Sequence, residues 1–469
     1  MTAFGILLLA LLPLLDAAQV EGPEPLRIED VLESVDRHYP SIIALESERE
    51  IAAAALLQAR GGFDTQLGAS LFDLPEGFYQ NTQGDVSILQ PLRALGADIE
   101  AGYRSGRGDF ADWDGDLQTN RDGEFRVGAK VPLLRDRAID KRRANLGKAQ
   151  IGRERVESFV VERRVDVSRI ASLAYWKWLA AAEKDRIARD FVLLAEARTD
   201  ALQSQVEEGL IAEIVVVDNE RLLAERRARQ IATERGLQQA AIALSLFLRN
   251  GEGLPLIPSP DRLPSGFPPL LTPDVDLPTD LARARQVRPE LEQLRLDVEA
   301  KALEISRARN SVLPELDLAV KASQDLGDAV SSPDDKGDFK LEAGFVLGLP
   351  IQRREARGEL RQRRAELERL EQRLRLARDS VNAEVQDLYS EWVQAFRRYE
   401  QAARSAELAQ ELEDAERLQV EEGASDLLRL NLREQQTVSA ASFVVDVKTE
   451  YFEAESNYRA AILEGPFAP

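Results

Sequence analysis

The sequence predicts a mainly α-helical chain with short membrane-type β-strands, arranged as a helix–strand–strand–long helix–helix unit used twice. Three observations predict this. Between Pro350 and Gly423 there is no proline, and the one glycine, Gly358, falls in the first turns. Several short segments alternate strictly between apolar and polar residues. Landmarks of the first half return in the second at fixed offsets.

The stretch from Pro350 to Gly423 is dominated by Ala, Leu, Glu, Arg and Gln, all good helix formers. Apolar or small residues recur every seven positions at Leu360, Leu367, Leu374, Val381, Leu388, Ala395, Ala402 and Ala409. A second row, Val385, Trp392, Tyr399 and Ala406, lies four residues on along the same face. A sustained seven-residue period means coiled-coil-like packing against other helices. At 1.5 Å per residue the helix is roughly 105 Å long, wider than an ordinary globular core.

In chain order, residues 1–18 read as a secretory signal, because Phe4 to Leu15 is uncharged and mostly apolar yet too short to span a bilayer. No lysine or arginine precedes that run, so the basic leader is missing. Residues 19–249 form the first repeat. A helix runs from Ile28 to about Arg60 and carries Pro40; after it come strands within about 63–131. Phe63, Thr65, Leu67, Ala69 and Leu71 share one face; so do Ala97, Ile99, Ala101 and Tyr103, and likewise Phe125, Val127, Ala129 and Val131. Long helices return over about 135–248. Residues 250–278 hold eight prolines and form a linker. The second repeat, 279–464, has a helix carrying Pro289, strands within about 315–349 and a helical hairpin over about 351–463.

The halves align residue by residue. Pro40 matches Pro289 and Leu67 matches Leu316, both 249 apart. Pro132 and Pro350 are 218 apart, and Tyr175, Trp178 and Gly209 match Tyr389, Trp392 and Gly423 at 214. The first half therefore holds 31 more residues in its β-region, as a hairpin or as a long loop.

Composition excludes several functions. A net charge of -21 argues against nucleic acid as a partner. The chain has no cysteine and a single histidine, His38, which rules out disulfides, thiolate metal sites, cysteine nucleophiles and Ser-His-Asp chemistry. His38 reads as a helix-surface residue. No nucleotide motif or catalytic constellation is present, so no enzyme, cofactor or metal site is expected. The run Asp109, Asp112, Asp114 and Asp116 resembles a calcium loop, but Leu117 stands where that motif needs glycine. This run and the group Asp334, Asp335 and Asp338 read as solvated loops between strands.

An exported chain whose strands have one apolar and one charged face fits a membrane barrel with lipid outside and water inside. One chain offers too few strands to close a pore, so several copies must contribute. The organisation, together with Val-Pro-Leu-Leu ending at Leu134, Leu-Pro-Ile ending at Ile351, Glu-Glu-Gly-Leu-Ile around Gly209 and Glu-Glu-Gly-Ala-Ser-Asp-Leu-Leu ending at Leu428, resembles the TolC-like outer membrane efflux protein family. The resemblance covers nearly the whole chain. It implies a homotrimer with a twelve-stranded outer-membrane barrel, four strands per chain, continued by a periplasmic α-helical barrel. A periplasmic adaptor and an inner-membrane pump of unknown class would be the partners, and the chain would be a passive exit duct for efflux or type I secretion. The reading from another class is a periplasmic coiled-coil scaffold that never enters a membrane.

By resemblance, the adaptor contacts at the periplasmic tip are Gly209, Leu210, Ile211, Gly423, Ala424, Ser425, Asp426 and Leu427. Glu207, Glu208, Asp218, Glu421 and Glu422 would make an acidic entrance favouring cations. The family often carries aspartates six and nine residues beyond the glycine; here those positions are Val215, Asp218, Arg429 and Leu432, and only Asp218 conforms. Arg135, Arg137, Lys141, Arg142, Arg143, Arg353, Arg354, Arg357 and Arg361 come just after the strand-to-helix junctions. There, as a membrane-surface basic ring, they would meet outer-membrane lipid headgroups, with salt bridges to neighbouring helices as the competing role. Tyr175, Trp178, Tyr389 and Trp392 are expected to pack on the linker or the chain ends.

Overall fold

The computed structural model of the chain describes residues 24–329 and 339–468. The expected signal over 1–18 and the acidic group Asp334, Asp335 and Asp338 lie outside the described residues. The described chain forms helices α1 (Ile28–His38) and α2 (Pro40–Arg60), strands β1 (Gln66–Leu74), β2 (Asn81–Pro91), β3 (Asp98–Gly108) and β4 (Glu124–Pro132), then helices α3 (Lys141–Glu207) and α4 (Ile214–Ser245). The second half repeats the plan with α5 (Leu277–Val287), α6 (Pro289–Asn310), β5 (Glu315–Asp325), β6 (Lys340–Gly348), α7 (Arg354–Glu421) and α8 (Leu427–Ala461). None of these helices is long and apolar enough to cross a membrane.

The two prolines do more than mark single helices. Each expected helix is two, because proline lacks the N–H the next turn needs and pushes its predecessor out of the helical region. Tyr39 (φ -76, ψ 122) and Arg288 (φ -63, ψ 120) are both extended, and Pro40 and Pro289 each begin a new helix.

The chain divides into two compact units. One comprises residues up to Tyr39, Ile170–Thr272 and Val393–Glu453. Its core is aromatic where the linker and the amino-terminal lead meet α3 and α8. Trp176 stacks on Phe452 at 4.5 Å, Phe267 of the linker stacks on Phe452 at 5.6 Å, and the Tyr175 hydroxyl donates to the Leu26 carbonyl at 3.0 Å. Trp178 is fully buried. The other unit comprises Pro40–Arg169, Pro273–Trp392 and the residues from Ala454. There Trp392 and Tyr389 lie 5.4 and 5.9 Å from the Tyr458 ring near the carboxy-terminal end, and the Tyr458 hydroxyl donates to Asp280 at 2.5 Å. Of the four aromatics expected to pack on the linker or the chain ends, Tyr175 meets the amino-terminal lead, and Tyr389 and Trp392 meet Tyr458 near the carboxy-terminal end. Every residue of the two rows read along α7 is buried or half-buried.

The sheet departs from expectation. It has six strands in the order β1-β2-β3-β4-β5-β6, each antiparallel to its neighbours, where the family resemblance implies four. The 31 additional residues therefore add a hairpin, β2 and β3, and not only a loop. The first strand also begins later than expected: Gly61–Phe63 is a short 3₁₀ turn that buries Phe63. Cross-strand register keeps the two faces distinct along all six strands. Leu67, Ile88, Ala101, Val127, Ala322 and Leu341 form one continuous row, each opposite the next. Most of this face is open to the surroundings, with Leu67, Leu71, Leu341, Phe345 and Leu347 each about two-thirds or more exposed. On the opposite face Lys130 reaches Asp317 at 2.7 Å, Arg104 pairs with Glu124, and Arg126 with Asp85.

Candidate functional site

The residues expected to matter fall at two places, the helix turns and the strand-to-helix junctions. At the turns, α3 and α7 end the same way. Gly209 and Gly423 both have φ +74, and open space surrounds the position a Cβ would take, so glycine is required by backbone conformation and not by crowding. Gly209 N–H donates to the Val206 carbonyl at 2.9 Å and Leu210 N–H to Gln205 at 2.9 Å. Gly423 donates to Val420 at 3.1 Å and Ala424 to Gln419 at 2.8 Å. This paired pattern is the Schellman cap, which satisfies the last helical carbonyls.

The chain leaves the two turns differently. Asp426 accepts from the Arg429 N–H at 2.9 Å and so caps α8, and the Ser425 hydroxyl donates to Glu416. Helix α4 is preceded by Glu213, whose side chain makes no capping bond. Leu210, Ala424, Asp426 and both glycines are exposed, while Ile211, Ser425 and Leu427 are half-buried. Glu207, Glu208, Glu421 and Glu422 are exposed, and none of them joins an ion pair among the described residues. Asp218 is exposed and bonded to Arg221 at 3.3 Å.

Sequence reading missed the cluster behind these turns. Glu434 of α8 is 1% exposed, yet two arginines meet its carboxylate. Arg198 of α3 is bonded to it and to Asn431 at 2.6 Å; Arg226 of α4 donates to it at 2.8 Å. Arg226 also donates to the Phe191 carbonyl at 3.1 Å and lies 3.6 Å above that ring's centre. Burial lowers the Arg226 guanidinium from its ordinary value, against the pull of Glu434. Three helices are thus tied by one carboxylate. Its partners stand 236 and 208 residues away in sequence, so no local pattern could have revealed it.

At the other place, the nine basic residues divide into two sets. Arg142 donates to Asp98 at 2.9 Å, Arg143 bonds Asp140 at 3.0 Å and the Arg137 carbonyl at 3.0 Å, and Arg353 donates to the Val312 carbonyl at 3.2 Å. Arg135 lies 3.6 Å from Asp136. These four hold the junction. Arg137, Lys141, Arg354, Arg357 and Arg361 are exposed. Asp140 caps α3 through the Arg143 N–H at 2.9 Å. Burial disfavours its charge, but the Arg143 N–H, the Arg143 guanidinium and Arg142 outweigh that and hold its carboxyl below the ordinary value. Asp136, at φ 67, exchanges two hydrogen bonds with the buried Asn310 side chain, and burial raises its carboxyl. His38 is half-buried at the end of α1. Among the described residues no group of three or more His, Cys, Asp or Glu side chains is placed to hold a metal ion.

Similarity to known proteins points the same way. Residues 281–462 match the model of the family described as outer membrane efflux protein. No curated protein matches by sequence. Solved structures do match by fold. The outer membrane protein VceC of Vibrio cholerae has a TM-score of 0.65 at 15% identity, over 93% of this chain and 96% of that one. The open state of the Neisseria gonorrhoeae MtrE outer membrane channel has 0.65 at 15%, over 93% and 88%. The Campylobacter jejuni CmeC outer membrane channel has 0.63 at 13%, over 93% and 85%. Residues 281–462 thus resemble the outer membrane efflux protein family, and the chain as a whole has the fold of these solved outer membrane channels.

Proposed function

We propose that this chain is the outer-membrane exit duct of a tripartite efflux or type I secretion machine in a Gram-negative bacterium, conducting passively what an inner-membrane pump and a periplasmic adaptor deliver. The observation that carries the reading is the sheet. Its strands are 9 to 11 residues long, the length that crosses a bilayer at a tilt. Its apolar face is continuous and exposed, and its other face is charged. Such a face is costly in water and suited to hydrocarbon, while ions on the opposite face suit an aqueous interior.

Three copies would close the barrel, and the long helical hairpins would continue it as a tunnel through the periplasm. The exposed turn residues Gly209, Leu210, Gly423, Ala424 and Asp426, with the half-buried Ile211, Ser425 and Leu427, are the surface offered to the adaptor. Glu207, Glu208, Glu421 and Glu422, repeated three-fold, would draw cations to the tunnel entrance, with Asp218 beyond them. The five exposed cations of the junctions would face anionic headgroups at the inner rim of the barrel.

Single-channel recording tests the reading. The detergent-extracted protein in a planar bilayer should give cation-selective steps, and its trimer should dissociate on heating. A water-soluble protein without conductance would overturn the duct and favour a periplasmic scaffold.

A further inference from the structure

The inserted hairpin has a consequence for the pore, which rests on the duct reading above. We propose that each copy contributes six strands to the wall, eighteen from three copies, so that the barrel is wider than the twelve-stranded one that the family resemblance implies.

The alternative is that β2 and β3 form an appendage leaning on a four-stranded contribution. The register argues against it. By the offsets between the repeats, β1 corresponds to β5 and β4 to β6. In the second repeat β5 pairs directly with β6, whereas in the first β1 and β4 are separated by β2 and β3 and do not touch as neighbours. The hairpin occupies the plane of the sheet, hydrogen-bonded on both sides over the full length of β1 and most of β4. An appendage would need β1 and β4 to be paired.

Both faces of the hairpin match the wall. Val86 and Ile88 lie opposite Ala69 and Leu67 on one side and Tyr103 and Ala101 on the other, continuing the apolar surface without a gap. On the polar face the row Gly68, Ser87, Gly102, Arg126, Ser323 and Lys340 runs unbroken across all six strands. Charges tie the hairpin to β4: Arg104 pairs with Glu124, and Asp85 with Arg126.

Its inner turn is built into the strand-to-helix junction. Leu92 N–H donates to the Ala97 carbonyl at 2.7 Å, and Leu95 and Gly96 turn the chain at φ 60 and φ 66. Arg142 at the start of α3 reaches Asp98 at 2.9 Å. A Cβ on Gly96 would stand 2.6 Å from the Asp136 carbonyl, so the turn sits against the junction with no room to spare.

An even number of strands per copy leaves β1 and β6 as oppositely directed edges. Adjacent copies can then close β6 on β1 in the antiparallel sense used everywhere else in the sheet. A closed barrel also removes two edges that would otherwise invite aggregation. Barrel diameter grows roughly linearly with strand number, so eighteen strands make a wall about 1.5 times as wide as twelve, in the range that leaves an open aqueous channel. The outer mouth would then not be the constriction, and selection among cargoes would fall to the helical part.

The chain has no cysteine, so single cysteines give clean labels. Electron cryo-microscopy of the full-length protein in nanodiscs should count eighteen strands around a three-fold axis. In proteoliposomes, Ser87→Cys on the polar face should react with a water-soluble maleimide many times faster than Ile88→Cys, and a spin label on Ile88→Cys should be relaxed by oxygen in the lipid. A conducting trimer with twelve wall strands, or with both cysteines equally open to the water-soluble reagent, would overturn this inference and leave the duct standing. Absence of both trimer and conductance would remove the duct and the inference together.

Discussion

The two turns at the ends of α3 and α7 solve one problem with one backbone and different side chains. Both glycines sit at φ +74 inside the same pair of hydrogen bonds, and both are preceded by two glutamates. Beyond them, Asp426 caps the returning helix in the second repeat, and nothing equivalent caps it in the first. The two repeats share the residue that reverses the chain and differ in the next few. The same holds at the proline breaks, where the extended residue before the proline is Tyr39 in one repeat and Arg288 in the other. Geometry that favours one residue type carries the same residue in both repeats, and geometry that many can make carries different ones.

The largest effect is expected where both hairpins meet, at Glu434. Glu434→Gln would leave Arg198 and Arg226 buried beside a neutral group, and removing one partner of a buried pair costs about 3–5 kcal/mol. Chemical unfolding should record that loss, and hydrogen exchange should rise in the last turns of α3 and the first of α8 and α4. A change below about 1 kcal/mol would mean that water already reaches the cluster.

Next come the two glycines. Each Gly→Ala change would force a side chain into the left-handed region with no steric clash elsewhere, at about 1–2 kcal/mol. G209A and G423A should destabilise equally. Unequal losses in thermal unfolding would show that the turns differ in more than their caps.

The caps themselves separate the two turns more finely. Asp426→Ala should cost about 1 kcal/mol, whereas Glu213→Ala should cost next to nothing, because no side-chain bond is lost. The paired variants compared by urea midpoint decide it.

The smallest effect is a slope. Burial pushes the Tyr175 hydroxyl up to about 12, with Glu29 and Asp30 adding to the shift. Its folded value lies above the unfolded one near 10, so its contribution is complete below about pH 10 and is lost as pH rises towards 12. Tyr175→Phe should flatten the fall in stability across that window. An unchanged slope would assign the alkaline loss to other groups.

The duplicated plan, the long helices, the turn glycines and the regularly alternating strands were all legible in the amino-acid sequence. The duplication shows as landmarks repeated at fixed offsets, and the others are local patterns: a seven-residue row, a period of two, or a residue type tied to one backbone conformation. Features that depend on partners far along the chain emerged only from the folded molecule. Strand β2 carries Gly84 and Asp85 in its middle and just two large apolar residues, Val86 and Ile88, on its outer face. That pattern is too weak to signal a strand alone, and β1 and β3 supply its hydrogen bonds from both sides. The division of the nine basic residues into bonded and exposed sets depends likewise on where Asp98, Asp140 and the Val312 carbonyl stand. The buried Glu434 was invisible for the same reason, since a glutamate on a helix reads as solvent-facing until two arginines from other helices enclose it.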